Sequence, residues 1–207
     1  MNRGKYIVIE GHDGTGKSTQ VGLIRKKLAA KGIESIEFHE PQGSPIADEI
    51  RTVIKNGSLE RDGKTNLLLF TAARHEIWKH AQKELAKGTW VVAARNYFST
   101  LAYQGHGEGL ELELITSTTA LFTDELYMKP DLAVILTLKD KQERINRISQ
   151  RGKLDNPDTF ESRSDLFQTA VEQGYLAIAK DYNLPIISAS QSKEAIAEQI
   201  SELINYR

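Results

Sequence analysis

Short apolar runs separated by amphipathic stretches recur along the whole chain. Residues 6–9 (Tyr-Ile-Val-Ile) form a continuous β-branched run that ends at Glu10. Such a run, apolar on both sides, predicts a strand covered on both faces, as in a parallel sheet. Residues 18–31 carry Val21, Ile24 and Leu28 at helical spacing and stop at Gly32, which predicts a helix. Residues 33–38 alternate apolar and polar and predict a second strand. Residues 46–54 and 67–85 read as helices, the longer one carrying Phe70, Ile77 and Trp78 and closed by Gly88. A third strand is predicted at 89–94, followed by a loop and helices to about residue 127. A fourth lies at 132–138 and a fifth at 185–188. Helices are expected at 141–149, 164–182 and 193–206. The segment 152–162 is polar, contains Gly152, Asn156 and Pro157, and is expected to be mobile.

Five strands alternating with helices imply an α/β fold, a five-stranded parallel sheet with helices on both faces. No internal repeat or linker divides the chain, so residues 1–207 are expected to form one domain. Residues 144–163 read as a small lid within it. The 207 residues include 28 acidic and 27 basic side chains, a formal net charge of −1. That balance argues against a dedicated nucleic-acid binder, which usually shows a basic excess. Hydrophobic residues make up 40%, an ordinary globular share. There is no cysteine, hence no disulfide, thiolate nucleophile or Cys-ligated zinc. The N-terminal apolar run is too short for a signal peptide, and no stretch approaches the ~18 apolar residues of a spanning helix. A soluble, cytoplasmic protein without a membrane partner is expected.

Between the first strand and the first helix, Gly11-His12-Asp13-Gly14-Thr15-Gly16-Lys17-Ser18 matches the G-x-x-x-x-G-K-[ST] phosphate loop, with Thr19 next. The glycines allow backbone N–H groups to turn inward around a phosphate, and the helix N-terminus adds partial positive charge. Lys17 is expected to reach the β- and γ-phosphates of ATP, and the Ser18 hydroxyl to bind Mg²⁺. Average composition gives such a match by chance in roughly one chain in a hundred of this length. The strand and helix around it make the functional reading far stronger.

EGHDGTGKST (10–19), EPQGSPIADEIR (40–51), LLLFTAARHE (67–76), RNYFSTLAYQG (95–105) and PDLAVILTL (130–138) follow one another along the chain, and in that order they resemble the thymidylate kinase family. EGHDGTGKST (10–19) is similar to that family's phosphate loop, including Asp13. EPQGSPIADEIR (40–51) resembles its EPGG-T-P segment and closing arginine. LLLFTAARHE (67–76) resembles its long helix with a Phe and an Arg. RNYFSTLAYQG (95–105) resembles its DR…AYQG segment, and PDLAVILTL (130–138) with Arg151-Gly152 completes the match. The resemblance implies a phosphate-loop nucleoside monophosphate kinase fold, transfer of phosphate from ATP to dTMP, Mg²⁺ dependence and a homodimer. It implies that Phe70 stacks on thymine and Arg74 bonds its O4, and that Arg51 and Arg95 hold the dTMP phosphate. Thr100, Tyr103 and Gln104, with Glu40, would line the acceptor pocket. Tyr103 would lie near the 2′ position and Asp13 at the 3′-hydroxyl.

Lid arginines are expected to meet the phosphates and exclude water. Arg144, Arg147 and Arg151 recur at i+3 and i+4, so they can share a helix face. Arg147 and Arg151, with Lys17 and Arg95, are the expected catalytic cations, and Arg163 is a further candidate. The chain also departs from the family pattern. Ala94 stands where the family has Asp, His39 where it has Arg, and Gln42 where it has Gly. Asn156, Ala170 and Glu172 occupy positions where it has arginines. Two alternatives therefore stay open: a phosphate-loop kinase for another nucleotide or a deoxynucleoside, and a weakly active nucleotide-binding regulator.

Overall fold

A computed structural model of the chain describes residues 3–150, 159–160 and 162–206. Arg151 and most of the segment expected to be a lid lie outside the described residues. The strands are β1 (Tyr6–Gly11), β2 (Ser35–His39), β3 (Trp90–Ala94), β4 (Leu132–Thr137) and β5 (Ile186–Ser188). They form one sheet in the order β2-β3-β1-β4-β5, with every pairing parallel. The predicted α/β class, sheet and strand positions are those observed.

The principal helices are α1 (Lys17–Ala30), α2 (Pro45–Lys55) and α3 (Gly63–Ala86) before β3. After it come α4 (Tyr97–Thr100), a π-helical segment (Leu101–Gly107), α5 (Leu112–Phe122) and α6 (Glu125–Met128). Around the last two strands run α7 (Lys141–Ser149), α8 (Asp165–Asp181) and α9 (Lys193–Leu203).

The apolar runs of the strands are explained by a core on each face of the sheet. Tyr6, Val8, Val91, Ala93 and Ile135 point toward Leu67, Ile77 and Trp78 of α3, the π-helical segment and Val171 and Tyr175 of α8. Their neighbours Ile7, Ile9, Val92, Val134 and Leu136 point the other way, onto Val21, Ile24 and Leu28 of α1 and Ile196 and Ile200 of α9. Each fully buried Val, Leu or Ile stabilises by about 1.5–3 kcal/mol relative to exposure.

Most boundaries shift by one to four residues from the sequence reading, and two of the shifts have a clear cause. Ile33 does not begin β2, because Gly32 at φ 73° ends α1 and the Ile33 N–H caps the Leu28 carbonyl. Helix α3 starts one turn earlier than its apolar pattern, because the Asp62 carboxylate accepts the Thr65 N–H at 2.7 Å. In the register, Ile9 lies opposite Ala94 and Gly11 opposite Leu136. The carboxyl ends of β1, β2 and β3 therefore meet along one edge, where open α/β sheets bind ligands.

Candidate active site

The loop after β1 has the backbone its glycines permit. Gly11, Gly14 and Gly16 have φ of 136°, 87° and 89°. A Cβ on Gly11 would lie 2.3 Å from the Leu136 carbonyl oxygen, so only glycine fits there. Helices α2, α3, α7, α8 and α9 begin on Ser44, Asp62, Asp140, Ser164 and Ser192, whose side chains accept a first-turn N–H. Helix α1 begins on Gly16 without a side-chain cap. Its first N–H groups are thus not taken up by a capping side chain, an arrangement that suits an anion. Lys17 Nζ donates to the His12 carbonyl at 2.9 Å and lies 3.9 Å from Asp13. The Thr15 hydroxyl donates to the same carbonyl at 2.8 Å. Ser18 and Thr19 are exposed at the helix start.

The His12 ring turns away from this loop toward α8. Gln168 Nε2 donates to the Phe160 carbonyl at 2.7 Å, so its Oε1 faces His12 Nε2 at 2.8 Å and accepts from it. Burial lowers the His12 pKa to about 4, which keeps the ring neutral.

Beside the loop lies a cavity of about 330 Å³. Every residue expected on the acceptor side lines it: Asp13, Glu40, Arg51, Phe70, Arg74, Arg95, Thr100, Tyr103 and Gln104. At one end Arg95 Nη2 meets Asp13 at 2.5 Å, and the Tyr103 hydroxyl donates to the other Asp13 oxygen at 2.7 Å. Burial alone would raise the Asp13 pKa. The Arg95 and Lys17 cations and the Tyr103 hydrogen bond outweigh it, and the carboxyl sits well below the usual range. Arg95 has φ 75°, a left-handed backbone in a non-glycine residue. Strain of this kind, roughly 1–3 kcal/mol, clusters at functional sites.

At the other end Arg74 is 2% exposed. Its Nε lies 2.7 Å from the Tyr127 hydroxyl and 3.2 Å from Glu40, and Nη2 donates to Thr100 at 2.8 Å. The Tyr127 hydroxyl donates to Glu40 at 2.7 Å. Burial raises the Glu40 pKa against the pull of Arg74 and Tyr127. Among the described residues Arg74 Nη1 and Gln104 Nε2 have no hydrogen-bond partner, which leaves two buried donors at the cavity wall. The ring of Phe70 forms a further wall, 5.9 Å from that of Phe160.

The expected lid cations are arranged differently. Arg147 donates to Glu143 at 2.5 Å and to the Ala189 carbonyl at 3.0 Å, and it does not line the acceptor cavity. The Arg144 side chain packs over Gly14. Arg163 pairs with Glu108 at 2.9 Å and stacks on Phe167. Arg151 is outside the described residues.

Several site residues escaped the sequence reading. Phe160 lies in a polar segment that gave no signal. Asn96 and Ser99 sit inside a quoted segment without an assigned role, and Tyr127 and Tyr175 were not singled out. Ala94 places a buried methyl group at the end of β3, the position where the family pattern has Asp.

Among the described residues no three Asp, Glu or His side chains form a metal cage. Mg²⁺ shared with nucleotide phosphates needs only one or two protein oxygens besides water. Ser18 and Asp13 line the same cavity as hard oxygen donors, so the residues present fit that ion.

A parallel sheet in this order, a glycine loop before an uncapped helix, and an adjoining cavity with arginines and an aromatic wall define a phosphate-loop nucleoside monophosphate kinase. The family model "Thymidylate kinase" matches residues 9–200. A thymidylate kinase of Carboxydothermus hydrogenoformans is 34% identical over 199 residues, 96% of this chain and 95% of that protein. One of Prochlorococcus marinus is 35% identical over 210 residues, 98% of this chain and 96% of that protein. In fold, the crystal structure of a thymidylate kinase from Ehrlichia chaffeensis matches with a TM-score of 0.76 at 24% identity, covering 98% of this chain and all of that one. This chain belongs to the thymidylate kinase family.

Proposed function

We propose that the chain transfers the γ-phosphoryl group of ATP to dTMP, giving ADP and dTDP. The observation that carries this reading is the single cavity that joins the phosphate loop to a polar, arginine-lined end and an aromatic end. ATP lies with its phosphates on Gly11–Thr19, cradled by the loop N–H groups and Lys17. The dTMP phosphate lies against Arg95 and Arg51, whose planar guanidinium groups offer paired donors. The base lies against Phe70, with Arg74 Nη1 aimed at a pyrimidine carbonyl and Thr100 and Gln104 beside it. Asp13 and Tyr103 border the sugar, and Glu40 holds Arg74 in place.

A dTMP phosphate oxygen attacks the γ-phosphorus, the bond to the β-bridging oxygen breaks, and ADP leaves. The attacking oxygen is already anionic at neutral pH, so no strong general base is required. Positioning and charge neutralisation carry most of the catalysis. Arg147 and Arg151 are the remaining cations assigned to that task. Mg²⁺, when bound, supplies further neutralisation of the phosphate oxygens, and Ser18 would hold it.

The chain acts as one kinase unit, as a cytoplasmic homodimer. No helix among the described residues is long and apolar enough to cross a membrane. Leu121 at 76% exposure and the half-exposed Phe122, beside His75, give an apolar face for a second copy.

The test is ADP formation by purified protein with Mg-ATP and dTMP, dUMP, dCMP, dGMP, UMP or thymidine, with Lys17→Ala as control. Turnover highest with dTMP and lost in Lys17→Ala supports the reading. Preference for another acceptor, or no turnover despite ATP binding, overturns it.

A further inference from the structure

Glu10 is the penultimate residue of β1, next to the first glycine of the phosphate loop, and the reaction described above gives it no task. Its side chain is 0% exposed. Its two oxygens are shared out among several donors. Oε1 accepts the backbone N–H groups of Asn96 at 2.7 Å and Ser99 at 3.1 Å. Oε2 accepts the Ser99 hydroxyl at 2.7 Å, the Tyr175 hydroxyl at 3.1 Å and the Gly11 N–H at 3.3 Å. The two hydroxyl oxygens in turn face Arg95, whose Nη1 donates to Ser99 at 2.8 Å and to Tyr175 at 3.0 Å.

We propose that Glu10 is the positioning residue for Arg95, setting both its backbone and the direction of its guanidinium toward the acceptor phosphate. The backbone part follows from the Asn96 N–H, which belongs to the peptide immediately after Arg95. Glu10 clamps that peptide, and Arg95 is held at φ 75° between this clamp and the sheet bond from its own N–H to the Ile9 carbonyl at 3.1 Å. The side-chain part follows from hydrogen-bond polarity. A hydroxyl donates one proton, and although the Ser99 and Tyr175 oxygens also lie 2.9 Å apart, the Glu10 carboxylate, which can only accept, takes both protons. Their lone pairs are therefore presented to Arg95 Nη1, while Nη2 is left for Asp13. Glu10 acts at a distance of two hydrogen bonds, with no contact to either substrate required. Arg95 thus faces carboxylates on two sides, Asp13 directly and Glu10 through two hydroxyls, although Ala94 provides none at the end of β3.

Glu10→Gln tests this with little change of shape. The amide oxygen stays on the Asn96 and Ser99 N–H groups, so the NH₂ group takes the place of Oε2. It then donates toward Ser99 and Tyr175. One hydroxyl proton can turn to the other oxygen 2.9 Å away, and the second is left facing Arg95. A donor meets a donor there, and Nη1 loses one of its two hydroxyl acceptors, keeping the longer contact to the Gly11 carbonyl at 3.4 Å.

The inference rests on Arg95 binding the acceptor phosphate, so Arg95→Ala is measured alongside. Expected for folded Glu10→Gln is a fall in kcat/KM for dTMP of roughly ten- to hundred-fold, the scale of a misplaced binding group. KM for ATP should stay near the parent value, a split that general destabilisation does not produce. Tyr175→Phe should show a smaller loss and combine less than additively with Glu10→Gln. If Glu10→Gln does not fold, the Ser99→Ala/Tyr175→Phe variant, which keeps Glu10, should show the same selective loss for dTMP.

The inference is overturned by dTMP kinetics that stay unchanged in folded Glu10→Gln, or by equal losses toward ATP and dTMP. With Glu10→Gln unfolded, unchanged dTMP kinetics in the double variant overturns it too. If Arg95→Ala leaves dTMP kinetics intact, the assignment of Arg95 itself fails and this inference falls with it. If Arg95→Ala is damaging and Glu10→Gln is silent, only the role of Glu10 fails.

Discussion

Arg74 shows how much one buried charge organises. Its guanidinium is removed from water and joined to Glu40, Tyr127 and Thr100. Removing one member of a buried ion pair costs about 3–5 kcal/mol, because the other is left unpaired. Arg74→Met should lie near the lower end, about 3 kcal/mol, since burial already raises the Glu40 pKa and eases its protonation. Urea unfolding measures that loss, and a stability within 1 kcal/mol of the parent (~1 kcal/mol being an ordinary point-mutant effect) would contradict the paired arrangement. His12 makes a pH prediction of definite sign. Its folded pKa of about 4 lies below the unfolded value of about 6.5, so the unfolded chain binds the proton more tightly. Its contribution to stability is fully present above pH ~6.5 and is lost as pH falls toward 4, by up to about 3 kcal/mol. Asp13, with its depressed pKa, contributes a loss only at still lower pH, below its unfolded value near 3.9. His12→Asn should flatten the stability profile between pH 6.5 and 4, and an unchanged slope would assign that slope to other groups. The family resemblance pointed to Phe70 and Arg74 at the base, but not to Tyr127 or Glu40 as partners of Arg74. Those contacts join residues far apart in the chain.

Among the elements, the strands and long helices were legible because each carries a periodic apolar face. The π-helical segment from Leu101 to Gly107 was not, since its pattern fits any short helix. It places Tyr103 and Gln104 at the cavity and packs against α8 through glycines. A Cβ on Gly174 would lie 2.8 Å from His106 Cβ and Cγ, and one on Gly107 would lie 2.6 Å from Phe167 Cε2. Gly174→Ala should therefore push α8 from the π-helical segment at a cost of about 1–3 kcal/mol. Because Tyr175 is the next residue, KM for dTMP should rise more than KM for ATP. Thermal unfolding and steady-state kinetics check both parts, and a fully stable variant with parent kinetics would show that the packing is looser than these distances require.

The whole molecule places two nucleotide sites at one sheet edge, and ligand binding should stabilise that edge. A ligand at 100 times its Kd adds about 2.7 kcal/mol, which for a chain of this size raises Tm by roughly 5–10 °C. dTMP should give such a shift and UMP a smaller one at equal concentration, read by thermal scanning. Equal shifts would remove the preference for dTMP. By itself the sequence determined the sheet, the phosphate loop and the family. These depend on local signals: apolar periodicity, glycines at fixed spacing, and short motifs in a given order. Only the tertiary structure decided which charges meet: Asp13 with Arg95, Arg74 with Glu40, Arg163 with Glu108, and Glu10 behind Arg95. Electrostatic partners are chosen by distance in space and by burial, and pattern along the chain encodes neither.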